Sequence, residues 1–129
     1  MPYLDVPDRD PNNLTPELRL KWLELKRRMA QLGHPMKLVE GRRSSERQDW
    51  LFQQGRSRPG KIVTYAPAGR GKHEPGEDGL GRAFDAVFMD PEPYAERHPW
   101  ALYGEQAKLL GLRWGGDWKR PDRPHCELA

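Results

Sequence analysis

The chain has 129 residues, 36% hydrophobic and 32% charged, a balance that suits one compact domain with a small core and a well-solvated surface. Its 22 basic and 19 acidic residues leave a formal net charge of +3, which favours an anionic polymer, envelope or nucleic acid, without choosing between them. A single cysteine, Cys126, excludes an intramolecular disulfide and a cysteine-rich zinc finger, and no apolar run reaches the length of a membrane span.

The first residues (MPYLD) lack the basic-then-apolar profile of a secretory signal. The expectation is a protein made and kept in the cytoplasm, without membrane insertion, until something else releases it. Residues 1–14, rich in proline, asparagine and charge, are expected to form an extended arm. Thr15-Pro16-Glu17 reads as a helix start, with a hydroxyl cap, proline at the first helical position and an acid in the first turn. Leu18, Trp22, Leu25, Met29 and Leu32 then recur at helical spacing up to Gly33.

Residues 36–40 (MKLVE) predict a short strand closed by Gly41. Ser44 or Ser45 caps a second helix whose apolar side is Trp50, Leu51 and Phe52. Residues 61–65 (KIVTY) predict another strand inside a glycine- and proline-rich stretch, and Ala83 to Met89 predicts the clearest strand of all. A helix near residues 100–110 stops at Gly111, Gly115-Gly116 marks a turn, and His125 to Leu128 forms a last strand. The order predicts an α+β domain spanning residues 1–129, a small central antiparallel sheet flanked by helices.

Within this frame Asp85 is the sharpest chemical clue. It lies on a strand whose two faces are both largely apolar, where an unpaired carboxylate costs several kcal/mol unless a metal ion or an arginine receives it. His73 sits in a glycine-rich loop (residues 71–76, GKHEPG) running toward that strand, and Gly76, Gly79 and Gly81 let the loop fold back. His125 follows a proline-rich segment in which Pro121 and Pro124 disfavour a regular strand, so that a turn can bring Asp122 near His125. Two imidazoles and a carboxylate make a three-ligand set suited to Zn²⁺, with Asp122 available to take a proton. A structural Asp–Arg pair, a solvated loop histidine and an exposed turn aspartate are the alternatives for Asp85, His73 and Asp122. Cys126 alternates away from His125 and reads as a core residue; His34 and His98 lie in loops without an obvious partner.

Four blocks in order carry a family resemblance: residues 40–48 (EGRRSSERQ), residues 54–57 and 59–64 (QGRS, PGKIVT), His73 with residues 81–85 (GRAFD), and Trp118 with residues 122–125 (DRPH). Together they resemble the L-alanyl-D-glutamate peptidases used as phage endolysins. These are relatives of the vancomycin-resistance-type D,D-peptidases and carboxypeptidases, which share an α+β fold with hedgehog signalling domains. The resemblance implies one Zn²⁺ per chain held by His73, Asp85 and His125, with Asp122 as general base and Arg43 holding the substrate carbonyl or carboxylate. It implies hydrolysis of peptidoglycan stem peptides at the L-alanyl-D-glutamate bond, by a monomer without a wall-binding module or nucleic-acid partner, released to the wall by a separate holin-like pore. A D-alanyl-D-alanine carboxypeptidase with the same zinc site is the alternative within this chemistry, and a non-catalytic wall- or nucleic-acid-binding domain the alternative outside it. Three departures stand out: residues 74–78 (EPGED) read as an insertion between His73 and Asp85, Gly71 stands where a serine is usual, and Arg42 replaces an aromatic.

Overall fold

A computed structural model describes residues 4–129. Its ordered elements are α1 (Pro16–Gln31), β1 (Met36–Glu40), α2 (Ser45–Gln53), β2 (Ala83–Phe88), α3 (Trp100–Leu109), β3 (Leu112–Trp114) and β4 (His125–Leu128), with short 3-10 turns at Pro11–Asn13 and Gly115–Asp117. The strands form one antiparallel sheet in the order β1-β2-β4-β3. The α+β class read from the sequence is the fold observed.

Local chemistry sets the helix boundaries. The Thr15 hydroxyl accepts from the Leu18 amide at 3.2 Å and Pro16 opens α1. Leu18, Trp22, Leu25 and Met29 are buried along one stripe, each contributing about 1.5–3 kcal/mol of transfer free energy. Trp22 meets Phe84 of β2 with ring centroids 5.2 Å apart. Leu32, expected on the same stripe, is 48% exposed because α1 ends at Gln31 and the chain turns off the helical path. In α3, Trp100, Tyr103 and Ala107 face the same core, and Gly111 ends the segment in the left-handed region at φ 83°.

Within its described residues the N-terminal arm packs onto the domain: Leu14 is fully buried and bridges to Gly81, and the Gly41 amide donates to the Asp8 carbonyl. Three expectations need correction. Residues 61–65 form no strand. Their backbone is held by side chains instead, Gln54 donating to the Lys61 carbonyl and Gln48 to Thr64 and the Ala66 carbonyl, so Ile62, Val63 and Tyr65 remain exposed. In α2 the buried residue is Gln48, while Trp50 and Phe52 lie half-buried beneath the guanidinium groups of Arg58 and Arg56, each 3.8 Å from its ring centroid. Finally, β3 was not foreseen. Three residues are too few for a periodic signal, and pairing of Leu112 with Leu128 and Trp114 with Cys126 makes them a strand.

Sheet register is what positions the site. Asp85 of β2 lies opposite His125 of β4 on one side and opposite Glu40 of β1 on the other, the latter after a register shift between Leu38 and Glu40. Phe84 and Phe88 therefore enter the core while Asp85 occupies the other face. A one-residue slip would exchange the two faces and remove the site.

A candidate metal centre in a basic cleft

His73, Asp85 and His125 converge. Asp85 Oδ1 lies 3.3 Å from His73 Nε2 and 3.4 Å from His125 Nδ1, and the two nitrogens are 3.2 Å apart. Ligand atoms held at the ~2.0–2.1 Å bonds of tetrahedral zinc are about 3.3–3.4 Å from one another, so the triangle has the size such an ion needs. Asp85 Oδ1 is buried without a hydrogen-bond partner, an orphan that a cation would satisfy. Both histidines are nearly inaccessible, His73 at 4% and His125 at 3%. The donor set and the triangle fit a single zinc ion, and this is the group among the described residues that could hold a metal.

The far side of each imidazole is also committed. His73 Nδ1 donates to the Gly41 carbonyl at 2.8 Å, and His125 Nε2 donates to Glu127 Oε1 at 2.8 Å. These bonds place the free lone pairs of His73 Nε2 and His125 Nδ1 toward Asp85. Glu127, which the sequence reading did not single out, thus stands behind the His125 ring. Its spacing of two from His125 on one strand was the available signal, since residues two apart share a face.

Short-range tethers hold the loops. Glu74 accepts from the Gly69 and Gly71 amides and from the Ser45 hydroxyl, tying the insertion at residues 74–78 to the start of α2. The Arg43 amide donates to the His73 carbonyl at 2.9 Å. On the other side, the Pro124 carbonyl accepts from the Tyr103 hydroxyl and the Ala86 amide, and the Trp114 indole donates to the Arg123 carbonyl. A turn then brings the His125 amide to the Asp122 carbonyl, and Asp122 Oδ2 lies 4.0 Å from His125 Nδ1. Gly115 makes room for this turn, because a Cβ there would clash with the Asp122 carbonyl. Cys126, buried and donating to Tyr103, belongs to the core, where burial pushes its thiol up to about 12.

Arg43 and Arg42 diverge. Arg42 donates outward to the Gly79 carbonyl. Arg43 turns into the cleft, its Nη2 2.7 Å from Glu40 Oε1 and 3.8 Å from Asp85 Oδ2, its Nη1 donating to Gln48. Its Nε is buried without a partner. Glu40, pinned between Arg43 and Arg47, and Gln48 were not singled out from sequence. The pattern of an acid followed by arginines three and seven residues later was the signal for Glu40. His98, which seemed to lack a partner, stacks on Phe88 at 4.7 Å and bonds the Glu92 carbonyl, away from the triangle.

The charges are coupled. Burial opposes ionisation of Asp85, but the two imidazoles hold its carboxyl well below the ordinary range. Burial likewise opposes the His125 cation, yet Asp85 and Glu127 raise it to about 9. Partial desolvation, then the negative charge of Asp85, raises Asp122 above the usual carboxylate value, although its side chain is 48% exposed. The triangle lies in a cleft of about 560 Å³ whose lining includes Arg43, Arg70, Lys72, Tyr94 and Trp118.

Residues 77–128 match the family model described as D-alanyl-D-alanine carboxypeptidase, a span that includes Asp85, Asp122 and His125 but begins after His73. Over 125 residues the chain is 37% identical to the peptidoglycan L-alanyl-D-glutamate endopeptidase CwlK of Bacillus subtilis (strain 168), covering 92% of this chain and 75% of that protein. Its fold is similar to that of the L-Ala D-Glu endopeptidase ChiX of Serratia marcescens, with TM-score 0.62 and 22% identity over 98% of this chain and 89% of that one. It is also similar to the LD-carboxypeptidase LdcB, with TM-score 0.65 and 21% identity over 98% and 68% of the two chains. At those identities the two structures speak to fold alone.

Proposed function

The chain belongs to the M15 peptidase family, and on that premise we propose that it is a zinc peptidase hydrolysing the L-alanyl-D-glutamate bond of peptidoglycan stem peptides. The observation that carries this reading is the buried triangle of His73, Asp85 and His125, with Asp122 at its mouth and one carboxylate oxygen unsatisfied. The bond assigned rests on the relationship to CwlK, whose name states that specificity.

His73, Asp85 and His125 would hold the ion, with the Gly41 carbonyl and Glu127 orienting the two rings. The chemistry that zinc supplies when bound is Lewis-acid polarisation of the scissile carbonyl and a lowered pKa for the attacking water. Asp122, at the mouth of the triangle, would accept a proton from that water and return it to the departing glutamate amine. Arg43, kept charged and in place by Glu40 and Gln48, offers donors to the carbonyl oxygen as it gains charge or to a nearby carboxylate. In stem peptides the D-glutamate is linked through its side chain and keeps a free α-carboxylate, and Arg70 and Lys72 on the same cleft wall suit that anion.

The test is digestion of purified peptidoglycan with and without chelator, followed by identification of new amino termini. New glutamate amines that vanish with chelator support the reading. Released D-alanine would assign the carboxypeptidase instead, and lysis indifferent to chelation would remove the metal. We extend the reading to a lytic, endolysin-type role for a monomer reaching the wall through a separate pore. Its support is the order of the four endolysin-like motif blocks and a site completed by one chain. Expression with and without a pore-forming protein, scored by lysis and by sedimentation of the purified enzyme, tests this extension.

A further inference from the structure

A second groove opens beside the cleft. Its volume is about 760 Å³, and it shares Val63, Thr64, Ala66, Trp118 and Asp122 with the metal-centre cleft, so the two adjoin. Beyond the shared residues it is walled by Tyr65, Lys119 and Arg120. Tyr65 is 58% and Trp118 40% exposed, large aromatic surfaces that the core does not use. The Arg120 guanidinium carbon lies over the Tyr65 ring, 3.9 Å from its centroid, and neither Lys119 nor Arg120 pairs with a carboxylate among the described residues. The inner end of the groove is close to the chemistry, because the Trp118 ring is 4.8 Å from that of His125.

We propose that this groove is the subsite for the amino sugar that carries the stem peptide, an N-acetylmuramyl residue seated on Trp118 and the Tyr65–Arg120 stack. The proposal rests on the reading of the scissile bond given above. In that bond the carbonyl belongs to L-alanine, and L-alanine is itself joined to the lactyl group of the sugar. A single alanine and the lactyl group span about 7 Å when extended, so the sugar must lie next to the metal centre and not at a distance. The two directions out of the site differ in chemistry as the two sides of the bond do. The departing side carries carboxylates and meets Arg43, Arg70 and Lys72. The retained side carries a neutral sugar, whose apolar ring face suits exposed aromatic rings and whose hydroxyl and acetamido groups suit the unshared N–H groups of arginine. An enzyme that removed D-alanine from the far end of the stem would have the sugar several residues away and no use for an aromatic floor here.

The experiment compares two substrates, an N-acetylmuramyl stem peptide and the same peptide with acetyl in place of the sugar, each cleaved by zinc-loaded enzyme. The wild type should favour the muramyl substrate by about tenfold in kcat/KM, corresponding to 1.4 kcal/mol of added transition-state binding. Tyr65→Ala and Arg120→Ala, both exposed positions, should each lower that ratio, and together bring it close to one. Equal kcat/KM for the two substrates in the wild type, or an unchanged ratio in both variants, would overturn the subsite while leaving the assignment of the bond intact. Cleavage of neither substrate at the alanyl-glutamate bond would overturn the assignment of the bond and the subsite with it.

Discussion

Glu127 should govern how tightly the centre holds zinc without entering the chemistry. Its Oε1 accepts from His125 Nε2 at 2.8 Å, and the two side chains are only 7% and 4% exposed, so water cannot replace the contact. Loss of such an orienting partner typically weakens metal affinity 10–100-fold, about 1.4–2.7 kcal/mol. Two substitutions should divide that range. Glu127→Gln keeps an acceptor oxygen and loses the charge, and is expected near the tenfold end. Glu127→Ala leaves a buried N–H unpaired, a penalty of about 1–3 kcal/mol, and is expected near the hundredfold end. Competition against a chromophoric chelator measures the dissociation constant, and wall lysis at saturating zinc measures what remains of turnover. Affinities within twofold of wild type for both variants, at unchanged fold, would refute the orienting role. So would a loss of turnover that excess zinc does not restore.

Asp122→Ala should keep a full equivalent of zinc while turnover falls by about 10²–10⁴-fold, checked by metal analysis alongside wall lysis. His73→Ala should lose metal content and the zinc-dependent part of thermal stability together, a coupling visible in melts with and without added zinc. The two forms should respond oppositely to pH. His125 is raised from 6.5 to about 9 in the metal-free protein, so its stabilisation is full below about pH 6.5 and disappears as pH rises toward 9. Asp85 is depressed, so its contribution is present above the ordinary carboxylate range and is lost on acidification. Zinc requires the deprotonated ligand, so the gap in Tm between loaded and metal-free protein should widen from pH 6 to pH 9. Arg43→Lys should lower activity at equal zinc content because the planar fork held by Glu40 and Gln48 is gone, whereas Arg42→Lys, at an outward-facing position, should be nearly silent in the same lysis assay.

By itself the sequence determined those features in which neighbouring residues decide the outcome. The Thr15-Pro16 start of α1, the buried stripe from Leu18 to Met29 and the alternation that sets Asp85 apart from Phe84 and Phe88 are local, with periods that a linear reading can detect. The prolines before His125 likewise announced the turn that brings Asp122 to its side. Motif order went further and brought His73, Asp85, His125, Asp122 and Arg43 forward as one set. Only tertiary structure decided what depends on partners distant in the chain. Residues 61–65 have strand-like composition but no neighbouring strand to pair with, and the unpromising Leu112–Trp114 becomes a strand because β4 lies beside it. Glu40 and Glu127 had local signals in their spacing from Arg43, Arg47 and His125, but their roles, like that of Gln48, follow from which side chains the fold sets against them. The aromatic groove is of the same kind: Tyr65 and Arg120 are separated by 54 intervening residues and meet only because the sheet and its loops bring them to one wall. Periodicity reports which face of an element is apolar; which surface meets it is set by register and loop closure, and those are properties of the whole chain.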